Sequence, residues 1–173
     1  MAGIDLSLTV ADAGPIIHLD ELGCLDLLGD FGTLLIPREV SQEIARHRPL
    51  LTPGGIPGAG ECPVDAVAIT SPRLHSLIGS FRLDAGETAA FSLVEARRAG
   101  LFLCDDAAAR LVAELMGFPV HGTIGVLARS IRRGTRSRGE ILDILRRIPQ
   151  ACSLHISRGL LATVVASIEH EPE

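Results

Sequence analysis

Short apolar runs alternate along this chain with longer amphipathic segments, and that alternation most narrows what it can fold into. It is the pattern of βαβ units around a mainly parallel sheet, with helices covering both faces. Strands are expected at Leu6–Ala11, Thr33–Ile36, Ala66–Ile69, Leu101–Cys104, Pro119–His121 and Ser153–Ile156. Helices are expected over Pro15–Leu28 with a break near Gly23, then over Pro37–Arg46, Leu74–Ser80 and Gly86–Ala99 capped by Gly100. Four more follow at Ala107–Met116 ending at Gly117, Ile124–Arg133, Gly139–Arg147 and Gly159–Ile168. In the second helix Val40 and Ile44 fall four apart, on one face.

With 173 residues, the chain is long enough for one core and short for two, so residues 1–173 read as a single domain. The stretch 47–63 carries a dense series of prolines and glycines and reads as a mobile surface loop within that domain. Hydrophobic residues make up 47% and charged residues 21%, a globular balance. No basic-then-apolar leader pattern and no apolar run of about 18 residues is visible, so a soluble, cytoplasmic protein away from the membrane is expected. Cys24, Cys62, Cys104 and Cys152 are scattered without metal spacing and read as free thiols.

The net charge of −5 argues against coating nucleic acid by charge alone. All 16 basic residues are arginine, which excludes P-loop and Schiff-base chemistry, since each needs a lysine amine. There is no Tyr or Trp, so any base stacking falls to Phe, His or arginine planes. The six histidines are scattered and give little support to a histidine acid–base pair.

In an open parallel sheet, chemistry gathers at the carboxyl ends of the strands. Asp12 follows the first strand, and Asp105 and Asp106 follow the Leu101–Cys104 strand. Glu43 lies in the helix after the second strand, and Glu87 opens the helix before Leu101. Crossover topology is expected to place Glu87 at the sheet end away from the others. Each carboxylate also has a structural reading. Asp84 and Glu87 form an Asp version of a capping box, Asp106 and Asp12 suit N-caps, and Glu43 suits a solvated helix face. Carboxylates gathered without a counter-ion are costly, and a divalent cation is the usual remedy. Arg129, Arg132, Arg133, Arg136 and Arg138 crowd one stretch and suit phosphate gripping, or a solvated helix face. Arg110, one turn past the acidic pair, suits electrostatic support of it, and Thr123 suits a helix cap or a substrate contact.

The segments VADAGPIIHLDELGCLDLL, LIPREVSQEI, LDAGETAAFSLVEA, LCDDAAARLVAELMG and VHGTIGVLARSI, in that order, resemble the successive motifs of PIN-domain-like proteins, in particular a branch described as predicted nucleic-acid-binding proteins. The resemblance runs from about residue 8 to residue 165. It implies a three-layer α/β/α sandwich and a divalent-metal-dependent ribonuclease using Mg²⁺ or Mn²⁺. Asp12, Glu43, Glu87, Asp105 and Asp106 match the family's acidic set, with Asp12, Glu87, Asp105 and Asp106 as metal ligands. The five arginines from 129 to 138 are then candidate RNA contacts. Many relatives are toxins, which implies an RNA substrate and a small antitoxin. The alternative is a non-catalytic nucleic-acid-binding scaffold. A homodimer is expected from the apolar surplus of Pro15–Leu28. Two departures stand out: Gly14 replaces a frequent Ser or Thr, and Cys104 replaces a frequent Thr.

Overall fold

The computed structural model describes residues 7–60 and 63–170. Four parallel strands, β1 (Leu8–Ala11), β2 (Thr33–Leu35), β3 (Leu101–Leu103) and β4 (Val120–His121), lie in the order β2-β1-β3-β4. The helices are α1 (Ala13–Glu21), α2 (Arg38–His47), α3 (Pro72–Phe81), α4 (Ala85–Arg97), α5 (Ala107–Met116), α6 (Thr123–Arg132), α7 (Arg138–Ala151) and α8 (Arg158–His170).

Both faces of the sheet are apolar, and the period-2 alternation of side chains divides them. Ala11, Leu34, Leu101 and Leu103 face one layer with α1, α6, α7 and α8. Val10, Leu35, Phe102 and Cys104 face the other, against Leu74 of α3, Phe91 of α4 and Val112 of α5. Phe91 and Phe102 meet there in a tilted pair, ring centroids 5.0 Å apart. Two buried cores on either side of one parallel sheet make a three-layer α/β/α sandwich.

Local chemistry sets the helix ends. Ser71 caps α3, Asp84 and Glu87 form a capping box on α4, and Ser137 with Glu140 forms another on α7. Helix α5 stops at Gly117, whose φ of 74° is open to glycine at little cost. Helix α4 ends at Arg97, two residues before the expected Ala99. Arg98 takes the left-handed conformation at φ 50°, and the Gly100 N–H already bonds the Leu8 carbonyl beside β3. Helix α7 runs past the expected Arg147 to Ala151, with Pro149 inside its last turn.

Two expected strands are absent. Residues 66–69 are irregular. The chain pairs with the β2 side of the sheet earlier, through isolated parallel bridges Leu34–Ala59 and Pro37–Val64. Residues 153–156 are likewise extended without a ladder partner among the described residues. Their apolar members pack on the core instead, which is enough to explain their hydrophobicity. Part of the proline- and glycine-rich stretch lies along β2. Leu34 N–H bonds the Gly58 carbonyl, Gly60 N–H bonds the Leu34 carbonyl, and Ile56 is buried.

The apolar surplus of residues 15–28 is consumed inside the chain. Ile16, Ile17, Leu19, Leu22 and Leu28 are all buried, and Leu25–Asp30 is a 3₁₀ segment. Cys24, Cys104 and Cys152 are free thiols; Cys62 lies outside the described residues. No helix among the described residues is long and apolar enough to cross a membrane.

Candidate active site

Central strands β1 and β3 are neighbours, so their outlets deliver Asp12 and Asp105 side by side. The Asp12 N–H bonds the Leu103 carbonyl at 2.9 Å. Around that point opens a cleft of about 450 Å³. Asp12, Glu43, Asp84, Glu87, Asp105 and Asp106 all line it.

Glu87 sits at the same end as the others, against the topological expectation. A crossover helix runs antiparallel to the strand it feeds, so the start of α4 and the outlet of β3 lie at one sheet edge. Glu43 arrives from α2, which packs on α4, and its Oε2 lies 3.4 Å from the place a Cβ on Gly86 would occupy. Asp84, noted in the sequence only as a cap, is also in the cleft.

The carboxylates differ in how they are held. Asp105 is fixed on both oxygens. Oδ1 accepts from the Thr123 N–H at 2.7 Å, and Oδ2 accepts from the Thr123 hydroxyl at 2.5 Å. His18 Nδ1 lies 2.8 Å from the same Oδ2. Asp106 accepts from the Ala109 N–H at 2.9 Å, so it caps α5 while facing the cleft. Glu87 folds back to accept from the Asp84 N–H at 2.8 Å. The Cys104 thiol, 3.7 Å from Asp12 Oδ2, donates to it.

Burial dominates the electrostatics. Asp12 is 8% exposed, and its carboxyl is pushed up from about 3.8 to about 6. Desolvation is the main cause, with the charges of Glu43 and Asp84 adding to it against a lowering by the Ala13 N–H. Glu87, 9% exposed, rises to about 7 by desolvation, together with the charges of Asp84, Asp106 and Asp12. The Cys104 thiol is raised by its own burial and by the Asp12 charge, so it stays protonated.

Thr123 does not cap α6; Gly122 holds the cap position, and Thr123 grips Asp105. A Cβ on Gly122 would overlap Asp105 Oδ1 and come 2.8 Å from Arg110 Nη1, so the close approach requires glycine. Arg110 Nη1 donates to the Cys104 carbonyl at 3.4 Å. Next to Gly14, a Cβ would meet Asp105 Cβ at 3.4 Å and His18 Cε1 at 3.6 Å, so the imidazole borders the space a side chain there would enter.

Among the described residues, no three His, Cys, Asp or Glu side chains stand in ligating positions around one point. The donor set nonetheless fits a hard cation: it is all carboxylate oxygen, partly buried, and without an ion-paired arginine in the cleft. Glu87 spends Oε2 on its own cap, which leaves Oε1 as the oxygen to join it.

The candidate arginines do not act as one group. Arg129 and Arg133 both pair with Asp30, at 2.8 and 3.3 Å, and Arg136 pairs with Asp26 at 2.7 Å. Arg129 also lies over the Phe31 ring, 5.4 Å from its centroid. Arg132 and Arg138 form no ion pair among the described residues. Ser153, Leu154 and His155 line the cleft from the chain's last third. Sequence spacing offered no signal for them, because 48 or more residues separate them from Asp105.

No curated protein and no solved structure matches the chain. A family model described as a PIN domain matches residues 8–170, which spans both central strands, every carboxylate of the cleft and the histidine and threonine that hold Asp105. By that match the chain belongs to the PIN-domain family.

Proposed function

We propose that this protein is a divalent-metal-dependent endoribonuclease that hydrolyses RNA phosphodiester bonds, with Asp12, Glu43, Glu87, Asp105 and Asp106 as its catalytic set. PIN domains are generally nucleases that depend on divalent metal. The observation that carries the reading is a cleft with more carboxylates than basic partners, His18 beside Asp105 being its ion-paired base. Six carboxylates share it, and two of them are driven toward neutral pH by burial and mutual repulsion.

Asp12, Glu87, Asp105 and Asp106 would hold Mg²⁺ or Mn²⁺. When bound, the ion supplies charge that offsets the phosphate and makes water acidic enough to attack phosphorus near neutral pH. Thr123 and His18 keep Asp105 oriented so that it need not reorganise on binding. Buried Asp12 holds its place through β1, and the Cys104 thiol donates to it. Glu43, in the interior of α2 and not at a helix cap, is the carboxylate placed to accept a proton from the attacking water. Arg132 and Arg138, unpaired, are the arginines of the stretch readiest to meet phosphate, and Arg129, Arg133 and Arg136 would have to exchange their carboxylate partners to do so.

We further read the protein as the cytoplasmic toxin of a toxin–antitoxin pair, restrained by a small antitoxin at the arginine stretch or the 47–63 segment; with the apolar residues of 15–28 buried inside the chain, a homodimer loses the surface that suggested it. The second reading is a non-catalytic nucleic-acid scaffold, favoured by Gly14 beside Asp105, where a hydroxyl is missing. Comparing wild type with Asp12→Asn on RNA separates the two, because a scaffold binds equally in both and cleaves in neither.

A further inference from the structure

Beside the acidic cleft lies a second cavity of about 330 Å³, at the small end of the range of roughly 300–1,000 Å³ typical of ligand sites. Its walls are apolar: Ile124 from α6, Leu154 and Ile156 from the extended tail segment, and Leu160 and Val164 from α8. Its mouth is polar, with Arg110, His121 and His155. Gly122 and Gly125 line it too, and a Cβ on Gly125 would press on the His121 ring at 3.3 Å. The two cavities share Asp105, Leu154 and His155, so they lie side by side against the same residues.

We propose that this cavity receives a nucleobase of the substrate strand, adjacent to the phosphate placed at the carboxylates, and so selects the nucleotide flanking the cut. The proposal rests on the ribonuclease reading for the identity of the strand. A base needs apolar surface for its faces and a few donors and acceptors for its edge, and the cavity offers both. The chain has no Tyr or Trp; Phe31, Phe91 and Phe102 are fully buried, Phe81 and Phe118 pack on the core under α3–α5, and none of the five lines either cavity. Stacking near the cleft therefore falls to the imidazoles of His121 and His155 and the guanidinium plane of Arg110. Burial and the nearby charges of Arg110, Arg132 and Arg129 lower the His121 pKa and so favour the neutral ring, which carries one donor and one acceptor. Arg110, which lines the cavity, and Arg132, which forms no ion pair among the described residues, offer positive charge for a phosphate attached to that base.

The test is a titration of the full chain with each common nucleoside 5′-monophosphate, with ribose 5-phosphate as the base-free control, followed by NMR of isoleucine, leucine and valine methyls. The proposal expects the methyls of Ile124, Ile156 and Val164 to shift with nucleotide and to stay still with ribose 5-phosphate. It expects at least one base to bind better than the others. Val164→Trp, which fills the cavity away from the carboxylates, should weaken nucleotide binding by roughly tenfold or more. Leu160→Trp, built on a residue already 57% exposed, is the second filler, so a folding defect in one variant does not decide the matter. Unmoved methyls, or equal shifts with ribose 5-phosphate, overturn the proposal and leave the cavity to an apolar segment of a protein partner. The same titration on Asp12→Asn keeps the two readings apart. Methyl shifts without any RNA cleavage by wild type uphold the base pocket and remove the nuclease, and cleavage with unmoved methyls does the reverse.

Discussion

Asp12 and Glu87 pull against the fold in the metal-free protein. Their carboxyls are raised from about 3.8 to about 6 and from 4.5 to about 7, so the folded state binds protons more tightly than the unfolded chain. The stability linked to them is complete below the unfolded-state values near 4 and is lost as pH rises through about 6 to 7. The loss is on the order of 2–3 kcal/mol for each, and less than the sum for the coupled pair. The metal-free protein should therefore melt lower at pH 8 than at pH 5. Millimolar-scale Mn²⁺ should raise the melting temperature most at pH 8, since protons compete for the same oxygens. Asp12→Asn should raise the metal-free melting temperature at pH 8 by several degrees, on the order of 5 °C, while losing the response to Mn²⁺. A melting curve indifferent to pH and to Mn²⁺ would remove the site. At Gly122, alanine should push Asp105 off Thr123. A cost of about 1–3 kcal/mol in stability and a weaker Mn²⁺ response are expected by thermal melting.

At the scale of elements, the sheet decides everything around it. Phe102 is fully buried on β3, touching Phe91 and feeding Asp105 into the cleft. Phe102→Ala should cost about 3–5 kcal/mol by urea unfolding, and a cost under about 1 kcal/mol would mean that this layer is not packed as described. The central strands were legible because buried parallel strands are unbroken apolar runs, and the helices because their caps and glycines are local signals. Residues 66–69 and 153–156 misled for one shared reason: apolar segments that pack on a core carry the composition of strands without a ladder to join. Asp12 and Asp105 were legible in the site because they directly follow strands. The end of the sheet that Glu87 occupies was misjudged from topology, and Asp84 was seen only as a cap. His18, 87 residues from Asp105, and His155, reaching the cleft from the tail, depend on tertiary packing that no local pattern encodes.

The whole molecule presents an acidic cleft, an apolar pocket beside it, and an arginine stretch in which Arg129, Arg133 and Arg136 are held by Asp30 and Asp26. If it acts as a toxin, expressing it alone in bacteria should arrest growth, and Asp12→Asn should restore it. Healthy growth at high soluble yield would instead favour the scaffold. The most direct measurement is incubation of pure protein with mixed RNA, with Mn²⁺ or with chelator, beside Asp12→Asn. The account predicts cleavage by wild type only with metal, and none by the folded variant. Cleavage that survives the chelator, equal cleavage by Asp12→Asn, or intact RNA in every lane would contradict it.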